Sequence, residues 1–425
     1  MNLLLGGIFC VALATETSSE RKFQIGGPTR PKPVAADPAP VAAAPPKKVL
    51  FEGPFDVPPS QHWSVRLPGG RLNAASHTER SGPVIVGDRI FIGSAAGRAL
   101  YALSRRDGSV KREYPALGPV QANVTVVEDR LYFGDTGGRL WCYQLDGTAL
   151  WHFDTGAPIL VEPTVVGNRV YVTNVRDLAV AVDTANGELV WQYQRKPDLT
   201  REAELALFGK PPAVVDGDRV ILGFSDGAVV VLDRERGEEL WSRRVGEGRY
   251  PDLVAAPFVH ENTLYSAGYY APFMALDPAD GSVRWRAEVG AAWAPLAVDR
   301  NGGTWIFHPG VDGKLRAYDA ATGTELWTWY SGTSGALTTP ILTDAGLLVG
   351  SSEGTVSLVN PDTGRKVWDF SEGRLLAGIS SMPAVEGRQL TFVSNAGILY
   401  SLWAREETPV DVDAGTLDWR RRSGP

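Results

Sequence analysis

Apolar and polar positions alternate along this chain in short bursts, and the bursts recur. Eight copies start on glycine or another turn residue, run through alternating apolar positions and usually close on Asp: Gly97–Ser104, Gly138–Leu145, Asp177–Asp183, Gly227–Asp233, Ala271–Asp277, Gly313–Asp319, Gly354–Asn360 and Gly397–Trp403. Seven are followed by a glycine: Gly108, Gly147, Gly187, Gly237, Gly281, Gly323 and Gly364. Four residues beyond six of these stands a tryptophan: Trp151, Trp191, Trp241, Trp285, Trp327 and Trp368. Period-two alternation rich in Val, Tyr, Phe and Trp selects strands over helices. A period of roughly forty residues with several strands per repeat is the signature of a β-propeller.

The segment Ala256–Val289 shows one unit. Pro257–Val259 is a short strand, Asn262 marks a turn, and Thr263–Ala267 and Phe273–Asp277 are the second and third strands. Pro278–Gly281 turns tightly, and Ser282–Val289 carries Trp285 in the fourth strand. Four antiparallel strands of about five residues, joined by turns, make one blade. Glycine supplies the positive φ of the hairpin. Asp183, Asp233, Asp277 and Asp319 are placed to accept backbone N–H bonds in the turn that follows. Tryptophan fills the gap between blades. The repeated carboxylates are therefore scaffold and not paired catalytic acids.

Strand counting sets the number of blades. Eight third strands occur, yet the last, ending at Trp403, has no Gly-x-x-x-Trp strand after it, while His62–Leu67 with its Trp63 stands alone before the first unit. The expected fold is all-β: an eight-bladed β-propeller of four-stranded antiparallel blades, the last blade closed by the N-terminal strand. Closure removes exposed sheet edges. Arg112 stands where the first unit should carry tryptophan, so the packing between the first two blades is expected to be the weakest.

Length alone, 425 residues, would suggest two or three domains, but the repeat overrides it. A net charge of −7 speaks against a nucleic-acid partner, and the Arg420–Arg422 run reads as a solvated tail. The two cysteines, Cys10 and Cys142, make no disulfide framework. Leu3–Ala14 is too short for an ordinary membrane span. It reads as the apolar core of an export signal, with Ala12–Ala14 as a cleavage site. Cys10 offers the alternative of lipidation, which would tie the chain to a membrane only through its N-terminus. The expected organisation is a signal-like segment (1–14), a Pro/Ala-rich disordered tether (15–59), the propeller (60–405) and a C-terminal tail (406–425).

The five histidines, His62, His77, His152, His260 and His308, show no metal-ligand spacing. No Ser/His/Asp pattern, nucleophile elbow or P-loop is present. The expectation is a protein with no catalytic residues, no metal and no cofactor. Function is then sought where the period breaks. Glycine-to-glycine spacings run 39, 40, 50, 44, 42 and 41, and the two longest mark insertions at Arg195–Pro212 and Gly246–Ala255. Both join a fourth strand to the next first strand, on adjacent blade boundaries. They place Leu205, Leu207, Phe208, Tyr250, Asp252 and Leu253 on one face, which the loop of Tyr269 and Tyr270 shares. Exposed apolar and aromatic loops on a rigid scaffold suggest a protein-binding surface. The alternative is that these loops fold down over the propeller core.

The runs Ala181–Trp191, Ala275–Trp285 and Ala317–Trp327 resemble the tryptophan-docking repeat of the PQQ-type propellers, over about Trp63 to Trp403. One branch of that family, the PQQ-dependent dehydrogenases, implies a quinone held between a tryptophan and a vicinal disulfide beside calcium. This chain has no adjacent cysteine pair. In length, lean blades and N-terminal segment it is more similar to the BamB-type lipoproteins of the outer-membrane β-barrel assembly machinery. That resemblance implies a non-enzymatic periplasmic scaffold tethered to the outer membrane of a Gram-negative bacterium. Its partners would be the barrel-insertase subunit and unfolded outer-membrane proteins. In those relatives a Leu-x-Leu-Arg-Gly stretch before the fourth blade meets the insertase. Leu205-Ala-Leu207-Phe208-Gly209 occupies that place here, with Phe208 for the arginine. Of the acidic pair in the next linker, Asp252 matches one member and Val254 replaces the other.

Overall fold

The structure, a computed structural model, describes residues 59–69, 79–196, 211–246, 251–300, 302–371 and 378–404. All of these belong to one compact unit spanning Ala42–Pro425. The expected signal, tether and tail therefore lie outside the described residues, apart from the last tether position, Pro59.

Thirty-two strands form eight four-stranded antiparallel sheets, the blades of an eight-bladed propeller. Blade 4 shows why these sequences make strands of this kind. Its first strand, Val214–Asp216, is half-buried. The second, Arg219–Gly223, and the third, Ala228–Asp233, are buried on both faces because a neighbouring blade covers each. That double burial is why the third strand reads as the near-continuous apolar run AVVVLD. The fourth, Glu239–Arg244, faces solvent except for Trp241. Blade 5 follows the expected order with edges trimmed or shifted by one or two residues: Phe258–His260, Thr263–Ser266, Phe273–Leu276 and Val283–Ala287.

In each of the first seven blades the pairing of third and fourth strands slips by one residue just before the fourth-strand anchor, as where Ala181 pairs with Trp191 but Val182 with Leu189. Such a bulge re-aims the side chain that follows it. It leaves Leu189 and Val190 at the surface and turns Trp191 against the next blade. There the indole lies flat on the glycine of the neighbour's last turn. A Cβ added to Gly187, Gly237, Gly281, Gly323 or Gly364 would sit 2.6–2.7 Å from the docked ring. The indole N–H donates to a carbonyl of the same turn, at 2.8–3.1 Å for Trp151, Trp191, Trp241, Trp285 and Trp327. The turn aspartates accept backbone N–H bonds as expected, for example Asp233 from Glu235 and Arg236 at 3.0 and 2.8 Å.

The ring closes as the strand count requires. Ser60–Arg66 pairs antiparallel with Ile398–Trp403 and completes the blade of Ala384–Glu386 and Gln389–Val393. Trp63 docks on Gly108 of blade 1 and donates to the Arg105 carbonyl at 3.2 Å. Arg105 reaches back across the seam to the Glu386 carboxylate at 2.7 Å and to the Gln389 side chain.

The boundary between blades 1 and 2 is filled differently from the rest. Arg112 lies over Gly147, and the carbonyl of Leu145 accepts from the Tyr114 hydroxyl at 2.8 Å and the Arg89 guanidinium at 3.2 Å. Three side chains thus do the work of one indole.

Candidate partner-binding face

Alternating strand direction puts the fourth-to-first connections and the second-to-third strand loops at the same end of every blade. Both long connections leave and re-enter this face beside blade 4. The first departs through Arg195, whose guanidinium pairs with Asp226 at 2.9 Å and whose backbone N–H donates to the Asp177 carbonyl at 3.0 Å. Burial works against the Arg195 charge, yet hydrogen bonds with Tyr193 and Asp226 hold its pKa above the ordinary value. Tyr193 is shifted up by burial and by its 2.5 Å bond to Glu239. Ser225 ties the loops of blades 3 and 4 together, donating to Asp177 from both hydroxyl and backbone. The chain returns at Pro211, which covers Gly223 so closely that a Cβ there would be 2.7 Å from the ring.

The second connection passes through a narrow neck. The N–H groups of Val245 and Gly246 both donate to the Gly227 carbonyl, at 2.8 and 2.9 Å. A Cβ on Gly246 would stand 2.0 Å from the Pro251 carbonyl oxygen, and one on Gly227 would be 2.9 Å from Pro251. Only glycine at both positions lets the outgoing and returning strands meet above the blade.

Leu205, Leu207, Phe208 and Tyr250 lie outside the described residues. Tyr269 and Tyr270 sit together at the surface, ring centroids 4.9 Å apart, and Tyr270 is 59% exposed. Asp252 and Leu253 differ from the expected exposed patch: they are 7% and 1% exposed. Leu253 joins the core between blades 4 and 5, packed on Gly223, and the Asp252 carbonyl abuts Gly268. The second connection thus does fold down on the blades here. Its buried residues support the tyrosine loop, which stays in view above them.

The histidines are used in several ways. His62 and His152 pack on Trp403 and Trp141. His308 is fully buried against Phe273, and His77 lies outside the described residues. His260 stands at the opposite end of the blades, beside Glu261 and Asp299. Histidine spacing gave no sign of that grouping. The legible signals were a glutamate where four of the eight blades put glycine in the first hairpin, and a longer hairpin in blade 6.

Eight blades of one repeat, docked through tryptophan on glycine and closed by the N-terminal strand, define a propeller of the PQQ-repeat class. The family model described as outer membrane protein assembly factor BamB matches residues 115–271 and 251–422. That is well over half of the chain, and the chain belongs to this family. It is 24% identical to the outer membrane protein assembly factor BamB of Yersinia pestis over 364 residues, 81% of this chain and 88% of that protein. The crystal structure of BamB from Moraxella catarrhalis superposes with a TM-score of 0.66 at 20% identity, covering 81% of this chain and 100% of that one. A quinohemoprotein alcohol dehydrogenase from Pseudomonas putida HK5 superposes with a TM-score of 0.62 at 16% identity, over 82% of this chain and 77% of its own. At such identities the likeness to both structures is one of fold.

Proposed function

We propose that this chain is a periplasmic scaffold, held at the outer membrane by its N-terminal segment, that assists β-barrel protein assembly by docking and performs no catalysis. The observation that carries the reading is the position of the two long connections. They break the repeat at adjacent boundaries, flank blade 4, and leave and return on the face where the half-buried Tyr269 and the exposed Tyr270 pack together. Clustered aromatic and apolar side chains on rigid supports are what a protein hot spot requires. Leu205, Leu207 and Phe208 supply the apolar anchor, and Tyr250, Tyr269 and Tyr270 the aromatic rim. The partner in this reading is the barrel-insertase subunit, with unfolded outer-membrane proteins as the cargo of the assembly. Cys10 is the anchoring residue if lipidated, and cleavage after Ala14 gives a soluble form instead.

The test is crosslinking in the native envelope followed by co-purification. The wild-type chain is expected to retain an insertase subunit. Replacing Leu205, Leu207 and Phe208 together by glutamate is expected to weaken retention by tenfold or more. An unfolding midpoint unchanged in the triple variant separates lost docking from lost folding. Undiminished retention by the triple variant would move the docking surface elsewhere.

A further inference from the structure

At the end of the blades away from the long connections, blade 6 departs from the repeat. The first strand has three residues in seven of the eight blades and five in blade 6, Leu296–Arg300. Its second strand, Gly303–Pro309, has seven residues where the others have four or five. At about 3.3 Å per residue, this hairpin projects roughly two residues beyond its neighbours. The extension carries Asp299 alongside the first turn of blade 5, where His260 and Glu261 sit.

Four polar groups converge there. The His260 Nε2 atom lies 3.2 Å from the Asp299 carboxylate. The Thr304 hydroxyl, itself 8% exposed, stands between them. It is 2.8 Å from Asp299, 3.3 Å from Glu261 and 3.4 Å from His260 Nε2. The one hydroxyl proton serves only one of the two carboxylates, Asp299 and Glu261, at a time. The nearby cations are committed elsewhere: Arg300 binds Asp362 of blade 7, and Arg284 is held by Asp277 and Thr263. Among the described residues no arginine or lysine forms an ion pair with Glu261 or Asp299. A cavity of about 400 Å³ opens over the group, lined by Glu261, Asp299, Arg300, Gly302, Gly303 and Thr304. A Cβ on Gly302 or Gly303 would meet nothing within 4 Å, so the mouth is open.

We propose that His260, Glu261 and Asp299 form a binding site for a divalent first-row transition-metal ion of the zinc class, bridging blades 5 and 6. The donor atoms lie within 4.8 Å of one another. Zinc bonds of about 2.0–2.2 Å at tetrahedral angles need donors roughly 3.3–3.5 Å apart. The His260–Asp299 pair already has that separation, and the Glu261 side chain closes the rest by rotation at its exposed turn. An imidazole with two carboxylates is a mixed nitrogen–oxygen set, which suits zinc, cobalt or nickel better than calcium or magnesium. Water from the open cavity completes the coordination. The ion ties the first hairpins of the two blades, beside the Trp285 contact on the third-to-fourth turn of blade 6, and so stiffens the blade pair beneath Tyr269 and Tyr270.

Titration calorimetry of the full-length chain with zinc chloride is expected to show one saturable site that magnesium and calcium chloride do not fill. Asp299→Asn and His260→Gln should each weaken zinc binding at least tenfold. Glu261→Gln, at an exposed turn, keeps the fold intact and should weaken it too. Cobalt(II) should give visible absorption bands with the wild-type chain that are lost in Asp299→Asn. At the same zinc concentration the unfolding midpoint of the wild type should rise more than that of Glu261→Gln. No saturable zinc uptake, or uptake by all three variants equal to that of the wild type, would overturn the assignment.

Discussion

Placing an imidazole between aromatic rings without a partner for either nitrogen ties stability to pH. His308 has no exposed surface, lies 4.7 Å from Phe273 centroid to centroid, and meets Tyr318 edge-on. Among the described residues neither ring nitrogen finds a hydrogen-bond partner. Burial, with Arg316 nearby, pushes its pKa from 6.5 down to about 3. Asp312 pairs with Arg316 at 2.6 Å and opposes part of that charge. The sign follows from proton uptake. Below pH 6.5 the unfolded chain takes a proton that the folded chain refuses, so stability falls as pH drops from 6.5 towards 3 and levels off beneath it. At pH 5 the loss from this one group is on the order of 2 kcal/mol. His308→Leu removes it. Urea midpoints at pH 7 and pH 5 should lie closer together in the variant than in the wild type, and equal pH slopes would mean His308 is not the source.

At the scale of the element, the turn between third and fourth strands meets two demands with one glycine. Gly237 needs a φ of +68° and must leave room for the Trp191 ring 2.6 Å from where a Cβ would stand. Gly217 needs a similar φ, +58°, but a Cβ there would meet nothing within 4 Å. The pair separates conformational cost from docking cost. Gly217→Ala should cost about 1 kcal/mol, and Gly237→Ala about 2–4 kcal/mol because the indole must also shift. Equal losses in chemical denaturation would deny the docking. These demands explain what the sequence made legible. The glycine, the tryptophan four residues on and the turn aspartate all sit within one hairpin, so local spacing exposes them. Closure by Trp63 was legible through counting alone. Contacts between blades were not. The Tyr114 and Arg89 substitute for a missing indole depends on Leu145, more than thirty residues away. The burial of Leu253 depends on Gly223 and the next blade, and Asp299 reaches His260 across 39 positions because one hairpin is longer. Of the expected docking residues the tyrosine pair stayed at the surface, whereas Asp252 and Leu253 became its support.

Across the whole molecule, each blade is sandwiched between two others, so the ring has no free sheet face while it is closed. That condition rests on residues Ser60–Arg66, which come from the far end of the chain. They pair with all of Ile398–Trp403, Leu67 donates to the Gly397 carbonyl at 2.8 Å, and Trp63 docks across the seam on Gly108. Val65 and Leu67 also join the core that blade 8 shares with blade 1 through Ile92, Leu103 and Leu399. A chain beginning at Pro59 keeps every one of these contacts and should unfold at the same midpoint as the full-length protein. A chain beginning at Pro68 loses the strand, the indole, and the Val65 and Leu67 side chains that cover the seam core. The Arg105 bridge to Glu386 and Gln389 and the contacts of Ile92 and Leu103 with Val393 and Leu399 still span the gap. One partly exposed ion pair, however, contributes about 1 kcal/mol at most, and the remaining core has lost its cover. The third strand of blade 8 then becomes a long open edge, a template for pairing with another chain. The shorter protein is expected to aggregate or dimerise on size exclusion and to be cut near residues 398–403 by limited proteolysis. A synthetic peptide of residues 59–67 added in trans should restore the protection. If the chain beginning at Pro68 elutes and resists protease as the longer one does, the seam is not what holds the ring together.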